Sequence, residues 1–374
     1  MACAAAYGGS TSLFLCGDVM LGRGIDQILP CPGAPALRES LVRDARTYVG
    51  LAEAVNGRIR RPVDVSWPWG DALALLDRAA PEVRIINLET SITTSDDFAP
   101  GKGVHYRMHP ANIGCLTVAR PDVCVLANNH VLDFGRAGLA QTLEVLAEAG
   151  LPTAGAGSDL AAARRPAIVP LGGGRRVVVL SIGTASSGIP AGWAASAARP
   201  GVNLDPPLTE TLDEVGRVKR PGDVVVASIH WGSNWGYEIA ADQIALAHAL
   251  VDGGVDVVHG HSSHHPRPIE IYRGRLVLYG CGDLIDDYEG IAGHDEFRND
   301  LRLLYVALVD AGSGRLVQLR MTPLQAHRMR LRRASTADTR WLQSTLQRAS
   351  RHFDVSIGLG PDGCLTVASS RGGV

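Results

Sequence analysis

The sequence predicts a layered α/β fold, and three observations carry that expectation. Short apolar runs recur along the chain, helical patterns fall between them, and nearly every run ends in a polar cluster. The runs are residues 13–16, 83–88, 123–127, 176–182, 224–230, 255–260, 276–279 and 303–309. Most are apolar on both faces, which is how strands covered on two sides read. Residues 137–149 carry apolar positions at helical spacing and stop at Gly150; residues 242–251 do the same and stop at Gly253-Gly254. A glycine at that place ends a helix because it adopts the left-handed backbone without strain. Alternation of the two patterns argues for sheets with helices on their faces.

The remaining stretches are punctuation. Residues 30–35 are rich in Pro, Gly and Cys, and 93–103 are polar with two Gly and one Pro. Residues 186–207 carry Gly, Pro and Trp193 and read as a lid. After Pro323 the chain becomes Arg-rich (Arg328, Arg330, Arg332, Arg333), which reads as a solvated face. Ser335-x-x-Asp338 then opens a helix in the manner of a capping box, with Trp341, Leu342, Thr345, Leu346 and Ala349 as its buried stripe.

Composition narrows the function classes. The chain has 374 residues, 46% of them hydrophobic and 20% charged, enough for a full core. Lys plus Arg number 36 against 38 Asp plus Glu, a net charge of −2. That balance gives no electrostatic case for nucleic acid or an anionic membrane as partner. Seven scattered cysteines without a CxxC imply a reducing compartment, with Cys16 and Cys124 as small core residues. Residues 1–10 make a poor signal peptide, and no apolar run reaches the ~18 residues of a membrane span. The expectation is a soluble, cytoplasmic protein.

The polar clusters hold the chemistry. The run ending at Cys16 continues Gly17-Asp18-Val19-Met20-Leu21-Gly22-Arg23, and the one ending at Ile86 continues Asn87-Leu88-Glu89-Thr90. Ala127 is followed by Asn128-Asn129-His130 and then Asp133; Ile229 by His230-Trp231-Gly232 and Glu238. Val258 is followed by His259-Gly260-His261-Ser262-Ser263-His264-His265, and Tyr279 by Gly280-Cys281-Gly282-Asp283, then Asp286-Asp287-Tyr288-Glu289. One such cluster is a turn; six that share Asp, Glu, Asn and His indicate convergence on one site at the strand ends. These residue types are ligands for Zn, Mn, Fe or Mg and are also the commonest general acids and bases.

Taken together, Gly17 to Arg23, Asn87-Leu88-Glu89, Asn128-Asn129-His130 with Asp133, His230-Trp231-Gly232 with Glu238, and Gly260-His261 with His264 resemble the CapA family. That family is often labelled poly-γ-glutamate capsule synthesis protein and is similar to the calcineurin-like metallophosphatases. The resemblance runs from about residue 12 to about residue 325. It implies a β-sandwich flanked by helices, with residues 1–325 as the catalytic domain and 326–374 as a C-terminal helical extension packed on it. Two departures stand out. The metallophosphatase Asp-x-His is here Asp18-Val19-Met20, and the Gly-Asp-x-x-Asp whose first Asp bridges two metals is here Asn87-Leu88-Glu89. The family's Gly-Asn-Phe appears as Gly282-Asp283-Leu284. What the resemblance leaves as metal ligands is Asn129, His130, His230 and His261, enough for one divalent ion such as Mn, Zn or Ca.

The segment from Gly280 to Arg298 also looks like a soluble subset of the family that acts on ribosomal peptides, including lasso-peptide C-terminal tryptophan epimerases. Three functions follow. The first is a Cα epimerase with a peptide substrate and no required cofactor. Asp18 and His294 would be its opposing acid and base, with His264 and His265 in reserve. Arg23, Glu89, Arg107, Asn129, Trp231, Glu238 and Arg267 would bind the substrate. The second is a metal-dependent phosphoesterase or amide hydrolase. The third is a non-catalytic accessory that binds a polymer or peptide.

Overall fold

The computed structural model describes residues 9–369. Residues 1–8, which include Cys3 and most of the stretch read as a poor signal peptide, lie outside the described residues.

Two sheets stack face to face, with helices on both outer surfaces. In chain order their strands are β1 Ser10–Val19, β2 Val83–Leu88, β3 Val123–Val125, β4 Thr153–Ala154, β5 Ala167–Pro170, β6 Arg176–Gly183, β7 Val224–His230 and β8 Val257–His261. There follow β9 Ile269–Tyr272, β10 Arg275–Leu278, β11 Asp283–Ile285, β12 Leu301–Asp310, β13 Leu316–Ala326, β14 Leu331–Arg333, β15 Val355–Leu359 and β16 Leu365–Ser369. The larger sheet has ten strands, in the order β15-β16-β13-β12-β1-β2-β3-β4, with β11 added beside β1 and β14 beside β13. The smaller sheet has six, in the order β9-β10-β8-β7-β6-β5. Beside them, Ser91–Ile92 pairs with Arg107–Met108 and Ala156–Gly157 with Gly201–Val202.

Strand alternation explains the layering. Leu13, Leu15, Val83 and Ile85 on the larger sheet share one core with Val177, Val179, Val224, Val226, Val257, Leu276 and Leu278 on the smaller. The intervening residues face outward. Phe14, Cys16, Ile86 and Cys124 meet Val49 and Ala52 of α1 (Arg46–Asn56), Leu76 of α2 (Asp71–Ala79) and Leu139 and Leu146 of α3 (Gly135–Glu148). Val178, Val225, Ala227 and Val258 meet Val215 of α4 (Leu208–Val218) and Ala247 and Leu250 of α5 (Ala241–Asp252). This is why the central strands read as apolar on both faces: each side is covered, and each buried aliphatic side chain contributes about 1.5–3 kcal/mol. The observed architecture is the β-sandwich flanked by helices that the sequence predicts.

The C-terminal segment does more than add a helix. Its helix α6 (Thr336–Ala349) is capped by Ser335, whose side chain accepts from the Asp338 N–H, and it buries Leu342, Thr345 and Leu346. Around it β14, β15 and β16 extend the larger sheet, so Leu342, Leu346, Val355 and Leu365 join the core between the sheets. Cys16 and Cys124 are fully buried and unpaired. Among the described residues no helix is long and apolar enough to cross a membrane.

Candidate metal centre at the strand ends

The parallel strands β1, β2, β7 and β8 deliver their carboxyl ends to one place. On β1 the register slips: Leu15 pairs with Ile85 but Asp18 pairs with Asn87, so β1 holds one more residue than β2 over this interval. A bulge of this kind re-aims the side chains that follow it. On its other side Asp18 pairs with Asp283 of β11. That approach depends on glycine, because a Cβ on Gly17 would lie 1.6 Å from the Gly282 carbonyl oxygen. Gly282 has φ +75°, the left-handed region that glycine adopts freely.

Four carboxyl and amide side chains therefore meet. The Asn87 Nδ2 donates to Asp18 Oδ1 at 2.7 Å and to Glu89 Oε2 at 3.0 Å, and its Oδ1 accepts from Asn128 Nδ2 at 3.0 Å. Asn87 is thus a neutral bridge between two buried carboxyls. An Asp at that position would be a third carboxylate. Asp283 Oδ1 accepts from His264 Nδ1 at 3.0 Å, and His264 Nε2 accepts from Asn234 Nδ2 at 3.0 Å.

The facing wall is histidine. On β7 the inward positions run Val224, Val226, Ser228, His230; on β8 they run Val257, His259, His261. The same alternation that builds the core turns polar at its last positions. His230 and His261 approach through their Nδ1 atoms at 2.8 Å, and His230 Nε2 lies 3.1 Å from Asn129 Oδ1. Beside them His130 Nδ1 donates to Asp133 Oδ2 at 2.6 Å. Lys102 bonds the Asn129 carbonyl and Asp133. Glu89 Oε1 lies 3.8 Å from both His130 Nε2 and His230 Nε2.

Burial sets the electrostatics. Asp18 is pushed up from the usual carboxylate range by burial and then by the neighbouring Asp283 charge. Burial raises Asp283, and burial followed by the Asp18 charge raises Glu89 well above its ordinary value. Burial lowers His230 and His261 well below the usual imidazole range, and His130 to about 4, so all three rings are neutral near pH 7. Burial also opposes ionisation of Asp133, but His130 and Lys102 outweigh it and hold that carboxylate low. Among the described residues, Asp18 Oδ2 and Asp283 Oδ2 are buried and accept no hydrogen from an N–H or hydroxyl group, while the carboxyl groups of Glu89 and Asp286 lie within hydrogen-bond reach of Asp18 and Asp283. A buried anionic oxygen in that condition must gain a proton or a cation.

A divalent cation fits this setting. Ligand atoms of Asp18, His230 and His261 lie within 4.8 Å of one another, and so do those of Asp18, His264 and Asp283. Asp18 belongs to both groups, and Asp18 and Asp283 are the two residues that keep the orphan oxygens just described. Neutral imidazole and carboxylate are the donors that borderline cations take.

Of the expected ligands, His230 and His261 enter these groups, Asn129 stands half-buried at their edge, and His130 lies behind Glu89. Asp283 stood in one of the converging polar clusters but was given no role, because only β11 pairing with β1 carries it to Asp18. Asp133 stood in the Asn-His cluster without a role, and Lys102 carried no signal, since it lies 27 and 31 residues from Asn129 and Asp133, the groups it bonds.

Several expected substrate and catalytic residues are engaged elsewhere. His294 stacks on Trp235 at 3.9 Å, and Trp235 in turn packs 5.3 Å from His264, whose Nδ1 meets Asp283. His265 has both ring nitrogens committed, to the Gly236 N–H and the Pro266 carbonyl. Trp231 is core, 1% exposed, with its indole N–H on the Tyr279 carbonyl. Arg23 is locked by Asp287 and Glu39 and stacked on Tyr48. Arg107 is spent on Ser95, Asp96 and Ala34, and Arg267 on the carbonyls of Gly236 and Glu238, while the Glu238 side chain is exposed. Glu89 is at the centre of the site but binds Asn87 rather than solvent.

The chain is 57% identical over 362 residues to the probable polyglutamine synthesis accessory protein of Mycobacterium tuberculosis strain H37Rv, covering 95% of each. It is 29% identical over 312 residues to the PGA biosynthesis protein CapA of Bacillus subtilis strain 168, covering 83% of this chain and 70% of that one. Among solved structures, a novel phosphatase of Mycoplasma pneumoniae aligns with TM-score 0.45 and 12% identity, over 84% of this chain and 94% of that one. Residues 12–288 match the bacterial capsule synthesis protein family PGA_cap. The bulge at Asp18, the Asn129-His130 pair and the histidines of β7 and β8 all fall within that span, and the chain belongs to the PGA_cap family.

Proposed function

We propose that this chain is a metal-dependent hydrolase that cleaves amide linkages of a glutamate or glutamine polymer. The observation that carries the reading is Asp18: one buried carboxylate common to two ligand groups, with an oxygen that no N–H or hydroxyl among the described residues satisfies. The names of the relatives supply the substrate class. Asp18, His230 and His261 would hold a cation, and His264 and Asp283 would complete the far side. When bound, such a cation polarises a carbonyl and lowers the pKa of bound water.

The chain's own groups do the rest. The neutral Asn87 links Asp18 to Glu89 without adding charge. Asn129 stands half-buried at the rim, where its amide can orient a substrate carbonyl. His130 holds its Nδ1 proton on Asp133, which leaves the Nε2 lone pair toward Glu89 and the site. Enclosure by the sandwich excludes bulk water from the carboxyl cluster.

The test is elemental analysis of protein purified from metal-replete medium, followed by assay of Mn- and Zn-loaded protein on α- and γ-linked glutamate oligomers, glutamine oligomers and a phosphoester. Bound metal with amide cleavage is expected. Absence of bound metal and of all hydrolysis would sink the reading. Metal-free exchange of a single Cα proton in D2O would replace it with the epimerase reading.

A further inference from the structure

We infer that Ser228 and His259 are positioning residues that fix the proton of His261 on Nε2 and turn its Nδ1 lone pair toward Asp18. The inference rests on the reading that the site takes a divalent cation.

The argument starts at a carbonyl. His259 Nε2 lies 2.7 Å from the Cys16 carbonyl oxygen. A carbonyl only accepts, so this nitrogen carries a hydrogen. The His259 ring is fully buried and makes no hydrogen bond to a carboxylate, so it is neutral and its Nδ1 is a lone pair. Ser228 Oγ lies 3.0 Å from that Nδ1 and 3.0 Å from His261 Nε2. The hydroxyl has one hydrogen, and His259 takes it. The second contact is then satisfied only if His261 Nε2 donates. His261 Nδ1 is left unprotonated, 3.9 Å from Asp18 Oδ1 and 2.8 Å from His230 Nδ1. A single backbone carbonyl on β1 therefore sets the tautomer of a candidate ligand through two side chains. This is the outer-shell orientation that metal-bound histidines need.

The same chain makes a statement about His230. Without a cation, His230 must donate its Nδ1 hydrogen to His261. Were a cation to take the Nδ1 lone pairs of both rings, that hydrogen would have to move to Nε2, 3.1 Å from Asn129 Oδ1. His230 is therefore the ring that changes tautomer on loading, and His261 is the one that does not.

The experiment uses full-length protein labelled with 15N-histidine and stripped of metal. Long-range 1H–15N correlation spectra are recorded for wild type, Ser228→Ala and Ser228→Thr, and Zn2+ affinity is measured by calorimetry. In wild type His259 and His261 are expected as Nε2–H forms, and on Zn2+ addition only His230 exchanges tautomer. Ser228→Ala is expected to mix the His261 tautomers and weaken Zn2+ binding roughly 10–100-fold, and Ser228→Thr to restore both. His261 found as Nδ1–H in wild type overturns the inference. So does a folded Ser228→Ala protein with an unchanged His261 spectrum and unchanged affinity. If Ser228→Ala does not fold, the wild-type spectrum alone decides. Failure of wild type to bind Zn2+ counts against the hydrolase reading, while the metal-free tautomers still test the hydrogen-bond chain.

Discussion

The two walls of the site solve opposite problems. The histidine wall on the smaller sheet is neutral and internally linked: Ser228, His230, His259 and His261 form one hydrogen-bonded chain that ends on a backbone carbonyl, with only His230 Nε2 left facing the Asn129 oxygen. The carboxyl wall on the larger sheet is the reverse, with Asp18 and Asp283 each keeping a buried oxygen to which no N–H or hydroxyl among the described residues donates. Folding alone preorganises the first wall. The second stores unfavourable desolvation, which a cation would relieve. A site built this way is rigid where ligands must be aimed and uncompensated where charge must be received.

The sharpest way to break this comparison is Asp18→Ala. It removes the carboxylate common to both ligand groups, and we expect hydrolysis to fall roughly a thousandfold or more, with loss of bound metal on elemental analysis. Retention of both would place the cation elsewhere.

Asn87→Asp sharpens it from the other side. A third carboxylate between Asp18 and Glu89 is expected to lower the Tm of metal-free protein by several degrees and to make stability strongly dependent on added Mn or Zn. An unchanged metal-free Tm would show that the carboxyl wall is not charge-strained.

Asp283→Asn removes one orphan oxygen. We expect Zn2+ affinity to drop about 10–100-fold while metal-free protein becomes more stable. The gain should depend on pH with a definite sign. A carboxyl whose native pKa is raised contributes its stability below the unfolded value and loses it as pH rises through the native one. Burial and then the Asp283 charge push Asp18 up from the usual carboxylate range, so removing the Asp283 charge matters most at the higher pH values, where both groups would ionise. The Tm difference between Asp283→Asn and wild type should therefore widen from pH 5 to pH 8, read by calorimetry without metal. Histidines that do not touch Asp283 contribute equally to both proteins and cancel; His264, which donates to Asp283, is the exception. A difference that narrows would contradict the assignment.

The smallest effect is expected at His294→Ala. Stacked on Trp235, His294 should alter kcat/KM less than about twofold. A loss above tenfold would return it to the chemistry.

Much of this protein is written locally. Continuous apolar runs specify strands covered on both faces, glycine ends the helices near residues 150 and 253, and Ser335 caps α6, because backbone geometry and strand or helix periodicity act over a few residues. The convergence of polar residues at strand ends was legible too, and with it Asp18, His230 and His261. The period of two even placed Ser228 with His230 and His259 with His261, a signal present in the sequence and unused. What the sequence left open is which polar groups meet across strands that are distant in the chain. Asp283 reaches Asp18 only because β11 adds beside β1, and His259 finds Cys16 only because the two sheets stack. Arg23, Arg107, Arg267 and Trp231 had the right chemistry for substrate but make hydrogen bonds to groups tens to hundreds of residues away. Residue type determines what a side chain can do; long-range packing decides which hydrogen bonds and charges remain for it to do it with.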